Sequence, residues 1–167
     1  MLKHILVPLD GSELAESSLR YAKQIVAPGG RVTLLSVVDV PEAQYYTLYE
    51  VPMVTQPESY EKLVHNVKDS ARQYLNAIVD NLFYDQISAD TITEMGDPAS
   101  VIVDQAQKLS VDAVVMSTHG RTGLSRWLFG SVTQKVLEAM PCPVFVVPGA
   151  MKEKNDQPVT QFERSTT

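Results

Sequence analysis

Apolar residues follow two different spacings along the first 148 residues of the chain. Short, almost wholly apolar runs predict strands, and apolar residues that repeat every three or four positions predict amphipathic helices. The predicted strands cover residues 5–7, 32–38, 87–95, 113–116 and 144–147. The predicted helices cover residues 14–26, 55–82, 98–109 and 131–140. This alternation predicts an α/β domain with a five-stranded parallel sheet and helices on both faces.

Residues at the ends of the predicted helices support these boundaries. The run Pro28, Gly29, Gly30 is expected to stop the first helix. Asp97 suits the N-cap of the third helix, and a proline directly after it suits the first helical turn. Ser131 and a glutamine three residues later have the spacing of a capping box at the start of the fourth helix.

The third predicted strand differs from the others because polar and apolar residues alternate along it. We therefore expect this strand at a sheet edge and the apolar strands 5–7 and 32–38 at the centre. This favours the strand order 3-2-1-4-5 over the flavodoxin-like order 2-1-3-4-5. In the favoured order a ligand crevice opens between strands one and four, beyond their carboxyl ends. Asp10 follows strand one and the loop 117–131 follows strand four, so we expect both at this crevice.

Composition narrows the classes of partner. A net charge of -6 over 167 residues argues against nucleic acid, which usually needs a basic protein face. The single cysteine, Cys142, cannot form an intrachain disulfide and indicates a reducing compartment. The N-terminus does not have the pattern of a signal peptide, and no apolar stretch is long enough to cross a membrane. We therefore expect a cytoplasmic domain at residues 1–148, followed by a polar, disordered tail at 149–167.

The loop 117–131 carries the strongest chemical signal. Gly120 lets the backbone turn as it leaves the fourth strand, and Gly130 lets phosphate oxygens approach the first amides of the last helix. Arg121 can supply positive charge, and His119 can orient a phosphate. A lone loop histidine has no second metal ligand at a suitable spacing, so we assign it no catalytic role. The amides and hydroxyls expected to face the phosphates belong to Ser131, Val132 and Thr133.

The same loop resembles the C-terminal signature of the universal stress protein family, in its UspA-like, ATP-binding subgroup. The pattern of that subgroup is glycine, two residues, glycine, nine residues, glycine, then serine or threonine. Gly120, Gly130 and Ser131 match its last three positions, and Ser117 stands at the position of the first glycine. The resemblance extends from Lys3 to about residue 148, through the segments 5–12 and 96–99.

The resemblance implies a Rossmann-like, adenine nucleotide alpha hydrolase-like fold that binds ATP, or AMP or ADP, with Mg²⁺ as an accompanying ion. Pro8 and Leu9 would lie beside the base, and the backbone of Val37 would read adenine. Met116 would flank the nucleoside, and Asp10 would lie near the ribose or a phosphate-bound metal. From the residues alone, Asp10 can equally be the N-cap of the first helix, with Glu13 as its capping-box partner.

Two functional hypotheses follow. The first is a nucleotide-dependent sensor or regulator in the stress response, which acts on an unidentified protein partner. The alternative is a slow ATPase or another adenine-nucleotide enzyme of the same fold. In-line attack on a phosphate needs a positioned nucleophile, and Asp10 and His119 are the sole candidate bases, so we favour the regulator.

The sequence of the last predicted strand also indicates how two copies of the chain would assemble. Val144–Val147 is an apolar edge strand without charge or internal proline, which would aggregate unless it is covered. Pairing with the same strand of a second copy covers it, so we predict a two-fold homodimer.

Overall fold

The computed structural model describes residues 2–39, 57–82, 87–118, 129–139 and 142–148. Strands and helices alternate through these ranges. Their bounds are β1 (Leu2–Pro8), α1 (Glu13–Ile25), β2 (Val26–Val38), α2 (Pro57–Leu82), β3 (Ser88–Met95), α3 (Pro98–Lys108), β4 (Ala113–Ser117), α4 (Ser131–Ala139) and β5 (Val144–Val147). The predicted tail at 149–167 lies outside the described residues. Within these ranges, none of the helices has the length and apolar character needed to cross a bilayer.

The strands form one parallel sheet in the order β3-β2-β1-β4-β5, which confirms the predicted topology. In the central strand β1, Ile5 pairs with Val32 of β2 on one side and with Ala113 of β4 on the other. The alternating strand β3 lies at one edge and β5 at the other, as the sequence predicts. From β1 the chain proceeds through β2 to the β3 edge, and from β4 it proceeds to the opposite edge at β5. The topological switch point of the sheet therefore lies between the neighbouring strands β1 and β4.

Helices cover both faces of this sheet and create two apolar cores. Ile5 and Val7 of β1 belong to the core under α1 and α2, which also contains Leu75. Leu6, between them, belongs to the core under α3 and α4, which also contains Ile102. Consecutive residues of a central strand are buried on opposite faces, and this explains why its sequence is apolar without alternation.

The start of β2 differs from the prediction. The strand begins at Val26 and includes the Pro-Gly-Gly run, whereas the sequence predicted a strand from residue 32. Its register on β1 shifts, since Leu2 pairs with Val26 but His4 pairs with Arg31. A Cβ at Gly30 would lie 2.8 Å from the Ala27 carbonyl oxygen, so this bulge needs glycine. The Pro-Gly-Gly run therefore marks a bulge within β2 rather than a turn before it.

Two helix starts test the predicted caps. Asp97 caps α3, and its carboxylate accepts a hydrogen bond of 3.0 Å from the Ser100 N–H, as predicted. At α4, the Gln134 N–H donates to the Gly130 carbonyl, so Gly130 takes the cap position and Ser131 is already helical. The predicted Ser131–Gln134 capping box is therefore wrong. The Gln134 side chain donates to Glu138 instead, at 2.9 Å.

A carboxylate joins the first residues of β1 to the segment before β4. One oxygen of Asp112 accepts hydrogen bonds from the backbone N–H groups of Lys3 at 2.6 Å and His4 at 2.9 Å. The Asp112 N–H donates to the His4 carbonyl at 2.8 Å. The His4 and Lys3 N–H groups stabilise the ionised carboxylate and lower the pKa of Asp112 from its usual value of 3.8.

This lowered pKa predicts an acid-dependent loss of stability. The contribution of Asp112 is complete above the unfolded pKa and is lost as the pH falls through the lower folded pKa. We expect Asp112→Asn to lower the free energy of unfolding at neutral pH, and the difference from the natural chain to shrink below about pH 4. Urea unfolding of both proteins at several pH values measures this difference in the free energy of unfolding. Asp80→Asn, at an exposed acid of α2, is the control. A difference for Asp112→Asn that does not change with pH would contradict the prediction.

Candidate functional site

A pocket of about 260 Å³ opens at the carboxyl ends of the central strands. β1 ends at Pro8, which pairs with Leu35 of β2, and β4 ends at Ser117. The pocket therefore lies at the crevice between β1 and β4, where ligands of open parallel sheets bind. Residues of α1, α3 and α4 complete its walls.

The pocket brings together ten of the residues that the sequence singled out. They are Pro8, Leu9, Asp10, Val37, Met116, Ser117, Gly130, Ser131, Val132 and Thr133. The remaining three, His119, Gly120 and Arg121, lie outside the described residues.

Sequence reasoning missed four further lining residues, Ala15, Leu35, Pro98 and Ile102. A signal existed for two of them. Leu35 lies two positions before Val37 and therefore shares its face of β2. Pro98 opens a helix that follows the carboxyl end of a strand, so its end of the helix belongs to this edge of the sheet. Ile102 and Ala15 line the pocket because their helices pack against the sheet. Their apolar spacing indicates only that they face the core, so it does not distinguish them as pocket residues.

One side of the pocket is apolar. Leu35, Val37 and Met116 come from the two strands β2 and β4, and Ile102 and Val132 come from the helices that cover them. Met116 is buried and Val37 is half-buried, so the wall is partly accessible. An apolar slot between a sheet and two helices suits a flat aromatic ring better than a charged group.

The backbone of Val37 faces this slot. The Leu9 N–H donates to the Leu35 carbonyl at 2.8 Å, so Leu35 directs its peptide groups toward β1. The Gly96 N–H donates to the Val38 carbonyl at 3.2 Å, so Val38 directs its groups toward β3. Peptide groups of successive residues alternate in direction along a strand, so Val37 points toward the β1 side. β1 has already ended there, and the Val37 N–H and carbonyl face the crevice.

The opposite side of the pocket is formed by the start of α4. The Gly130 N–H donates to the Thr118 carbonyl at 2.8 Å, and the Thr118 N–H donates to the Val147 carbonyl at 2.9 Å. The buried Thr133 hydroxyl donates to the Ser117 carbonyl at 3.0 Å. These bonds hold the end of β4 against the helix start. The amides of the first helical turn follow directly and have no partners within the helix.

Charge distinguishes α4 from the other two helices that start at the pocket. α1 has Glu13 and Glu16 in its first turn, and α3 has Asp97 at its N-cap. α4 starts after Gly130 and has no acidic residue in its first turn. The positive end of a helix dipole attracts an anion unless an acidic side chain already neutralises it. An anionic group in this pocket is therefore best placed at α4.

Asp10 lies between β1 and α1 but does not cap the helix. The N-cap is Ser12, whose hydroxyl accepts a hydrogen bond of 3.1 Å from the Ala15 N–H. One carboxylate oxygen of Asp10 accepts bonds from the Ser12 N–H at 3.0 Å and the Ser12 hydroxyl at 2.6 Å. The alternative that Asp10 and Glu13 form a capping box is therefore wrong. Asp10 orients the cap residue and lines the pocket.

Cys142 lies outside the pocket. Cys142 is half-buried beside the core under α3 and α4, and burial raises the pKa of its thiol. The thiol therefore stays protonated at neutral pH, which suits packing rather than nucleophilic attack. Within the described ranges, no three His, Cys, Asp or Glu side chains converge as a metal site would require.

Comparisons with known proteins agree with this geometry. The sequence pattern of the universal stress protein family matches residues 1–148. Universal stress protein MJ0531 of Methanocaldococcus jannaschii is 31% identical over 160 residues, which span 92% of this chain and 86% of that protein. The solved structure of MJ0577 from the same organism has a TM-score of 0.74 at 30% identity, with 89% of this chain and 96% of the other covered.

A third comparison concerns a protein that was solved with a ligand. It is a universal stress protein family protein of Arabidopsis thaliana with AMP bound, at a TM-score of 0.61. The match covers 95% of this chain and 99% of the plant protein, and at 15% identity it shows a shared fold. The family pattern and the archaeal relative together show more than the fold: this chain belongs to the universal stress protein family.

Proposed function

We propose that the chain binds an adenine nucleotide, with ATP as the favoured ligand, in the pocket between β1 and β4. The observation that carries the proposal is the division of one pocket into an apolar slot beside Val37 and an acid-free helix start at Gly130. A nucleotide has the same division, since its base is flat and largely apolar and its phosphates are anionic. In this proposal the protein is a cytoplasmic, nucleotide-dependent regulator, which acts through another protein.

The base is proposed to lie against Leu35, Val37 and Met116. The Val37 carbonyl can accept a hydrogen bond from an exocyclic amino group, and the Val37 N–H can donate to a ring nitrogen. Adenine presents an amino donor and a ring-nitrogen acceptor side by side along one edge. The AMP-bound plant protein of the same fold supports adenine, because it shows that this architecture can hold that base.

The phosphates are proposed to lie at the first turn of α4. The amides of Ser131, Val132 and Thr133 can donate to phosphate oxygens, and the exposed Ser131 hydroxyl can add another bond. Gly130 keeps the approach open because it has no side chain. Gln134 is the first residue whose N–H is used inside the helix, so the binding surface is one turn deep.

Asp10 is proposed to meet the ribose or a magnesium ion that the phosphates bring. Magnesium commonly binds proteins through one or two carboxylates, with phosphate oxygens and waters as its other ligands. A single carboxylate at the pocket therefore fits a magnesium nucleotide without a metal cluster of the protein's own. Ser12 holds one Asp10 oxygen in place, which orients the carboxylate.

Calorimetry with ATP tests this proposal. The natural chain should bind ATP, and Asp10→Asn should weaken binding by roughly tenfold, most clearly when magnesium is present. Asparagine keeps an oxygen for Ser12 and removes the charge, so the start of α1 is preserved. Glu13→Gln removes a charge from the same helix start and serves as the control. Failure of the natural chain to bind ATP, ADP or AMP would reject the nucleotide proposal.

We also propose that β5 mediates a two-fold homodimer. β5 pairs with β4 on one side, and its other side is a sheet edge. Phe145 of this strand is 44% exposed, and Val144 and Val146 are half-buried. An apolar edge strand is a template for pairing with another chain, and antiparallel pairing with itself closes the assembly.

A further inference from the structure

An ion pair joins two of the helices that start at the pocket. The Lys135 ammonium of α4 lies 3.3 Å from one carboxylate oxygen of Asp97, the N-cap of α3. Each partner is next to a lining residue, since Pro98 follows Asp97 and Ser131 lies one helical turn before Lys135. The pair therefore lies beside the pocket, between the helix start proposed for the phosphates and the helix that borders the base.

The Asp97 carboxylate is fixed by its role as a cap. Its second oxygen accepts hydrogen bonds from the Ser100 N–H at 3.0 Å and the Ser100 hydroxyl at 2.9 Å. These bonds, with a smaller effect of Lys135, lower the pKa of Asp97, so the carboxylate is ionised at neutral pH. The carboxylate is thus fixed in position, and its first oxygen faces the ammonium.

Lys135 is the one cation of α4. Side chains of a helix lean toward its N-terminus, so a lysine one turn inside the helix can extend to the first turn. The Lys135 and Asp97 side chains are 61% and 48% exposed, and an ion pair of this exposure contributes little to stability. The ammonium can therefore exchange one anionic partner for another at small cost.

We infer that Asp97 determines how the pocket discriminates among nucleotides with different numbers of phosphates. This inference rests on the proposed nucleotide site. The Asp97 carboxylate competes with the phosphates for the Lys135 ammonium, so a longer phosphate chain gains less from Lys135 than it otherwise would. Asp97 is thus a specificity-determining residue that lowers the affinity for ATP relative to AMP. This effect of Asp97 on Lys135 is separate from its role as the N-cap of α3.

Calorimetry on Asp97→Asn with ATP, AMP and adenosine tests this inference. Asparagine caps helices as well as aspartate does, so α3 keeps its start while the charge is removed. We expect ATP to bind roughly three- to tenfold more tightly, AMP to gain less, and adenosine to be unchanged. The gain should shrink at high salt, because exposed charges are screened. Asp104→Asn removes the same charge from the exposed face of α3 and should leave all three affinities unchanged.

The double variant Asp97→Asn with Lys135→Gln identifies the cation. If the released Lys135 ammonium causes the increase in ATP affinity, the double variant must not show that increase. An unchanged or weaker ATP affinity in Asp97→Asn, or a full gain in the double variant, would overturn the inference while leaving the nucleotide proposal standing. Absence of nucleotide binding by the natural chain would overturn both.

Discussion

We expect Gly130→Val to abolish the proposed ATP binding in a protein that still folds. Gly130 takes the cap position of α4 and lines the pocket where the first amides of the helix are exposed. A valine side chain there would stand over those amides and keep phosphate oxygens out of hydrogen-bonding distance. We expect the dissociation constant to rise by at least about a hundredfold, which corresponds to about 2.7 kcal/mol.

Thermal unfolding and a graded variant separate this effect from misfolding. Valine is a poorer N-cap than glycine, so the melting temperature should fall by a few degrees while unfolding remains cooperative. Gly130→Ala adds a single methyl group and should lose less affinity than Gly130→Val. If a folded Gly130→Val protein bound ATP as the natural chain does, the phosphates would not lie at α4.

We expect Val146→Asp to convert the proposed β5 dimer to a monomer. In an antiparallel pair centred on the middle of β5, Val146 would lie close to the two-fold axis, so two carboxylates would approach each other across an apolar contact. Like charges opposite each other destabilise a strand pair, and each would also lose water. We expect the dimer to dissociate at micromolar protein, with a dissociation constant raised by about a hundredfold or more.

Sedimentation velocity measures this change directly. Val146→Thr is the matched control, because threonine keeps the branched shape and the preference for a strand without adding charge. It should weaken the dimer far less than aspartate does. Circular dichroism should show the same secondary structure in all three proteins. A natural chain that sediments as a monomer at micromolar concentration would contradict the proposed interface.

The strand order could be predicted because burial leaves a different pattern at each position in the sheet. Residues 5–7 are apolar without interruption since both faces of β1 are covered, whereas Ser88, Asp90 and Glu94 mark β3 as an edge. The start of β2 could not be predicted, because Pro-Gly-Gly is as typical of a turn as of a bulge. What distinguishes them is the Lys3 carbonyl, 3.0 Å from a Cβ at Gly30, and that contact is distant in sequence.

The residues of the pocket could likewise be predicted only in part from the sequence. Gly130 and Ser131 could be found because a helix start after a buried strand has a local sequence pattern. The cap of α1 could not be assigned, since Asp10 and Ser12 are both good cap residues and are two positions apart. Ser12 is the cap because its hydroxyl accepts from the Ala15 N–H, whereas Asp10 accepts from Ser12. Ile102 carried only its helical spacing, and that spacing is equally well explained by the core.

The uninterrupted apolar sequence of β1 leaves open how the strand is aligned along its neighbours. Slippage by one residue would exchange the two faces, yet it would still bury Ile5, Leu6 and Val7, so hydrophobic burial discriminates weakly between the alignments. The polar contacts at the start of the strand do discriminate. Asp112 accepts from the N–H groups of Lys3 and His4, and a slipped strand would lose this match. A carboxylate at the amino end of the sheet thereby helps to determine which residue of the chain arrives at the pocket at the opposite end.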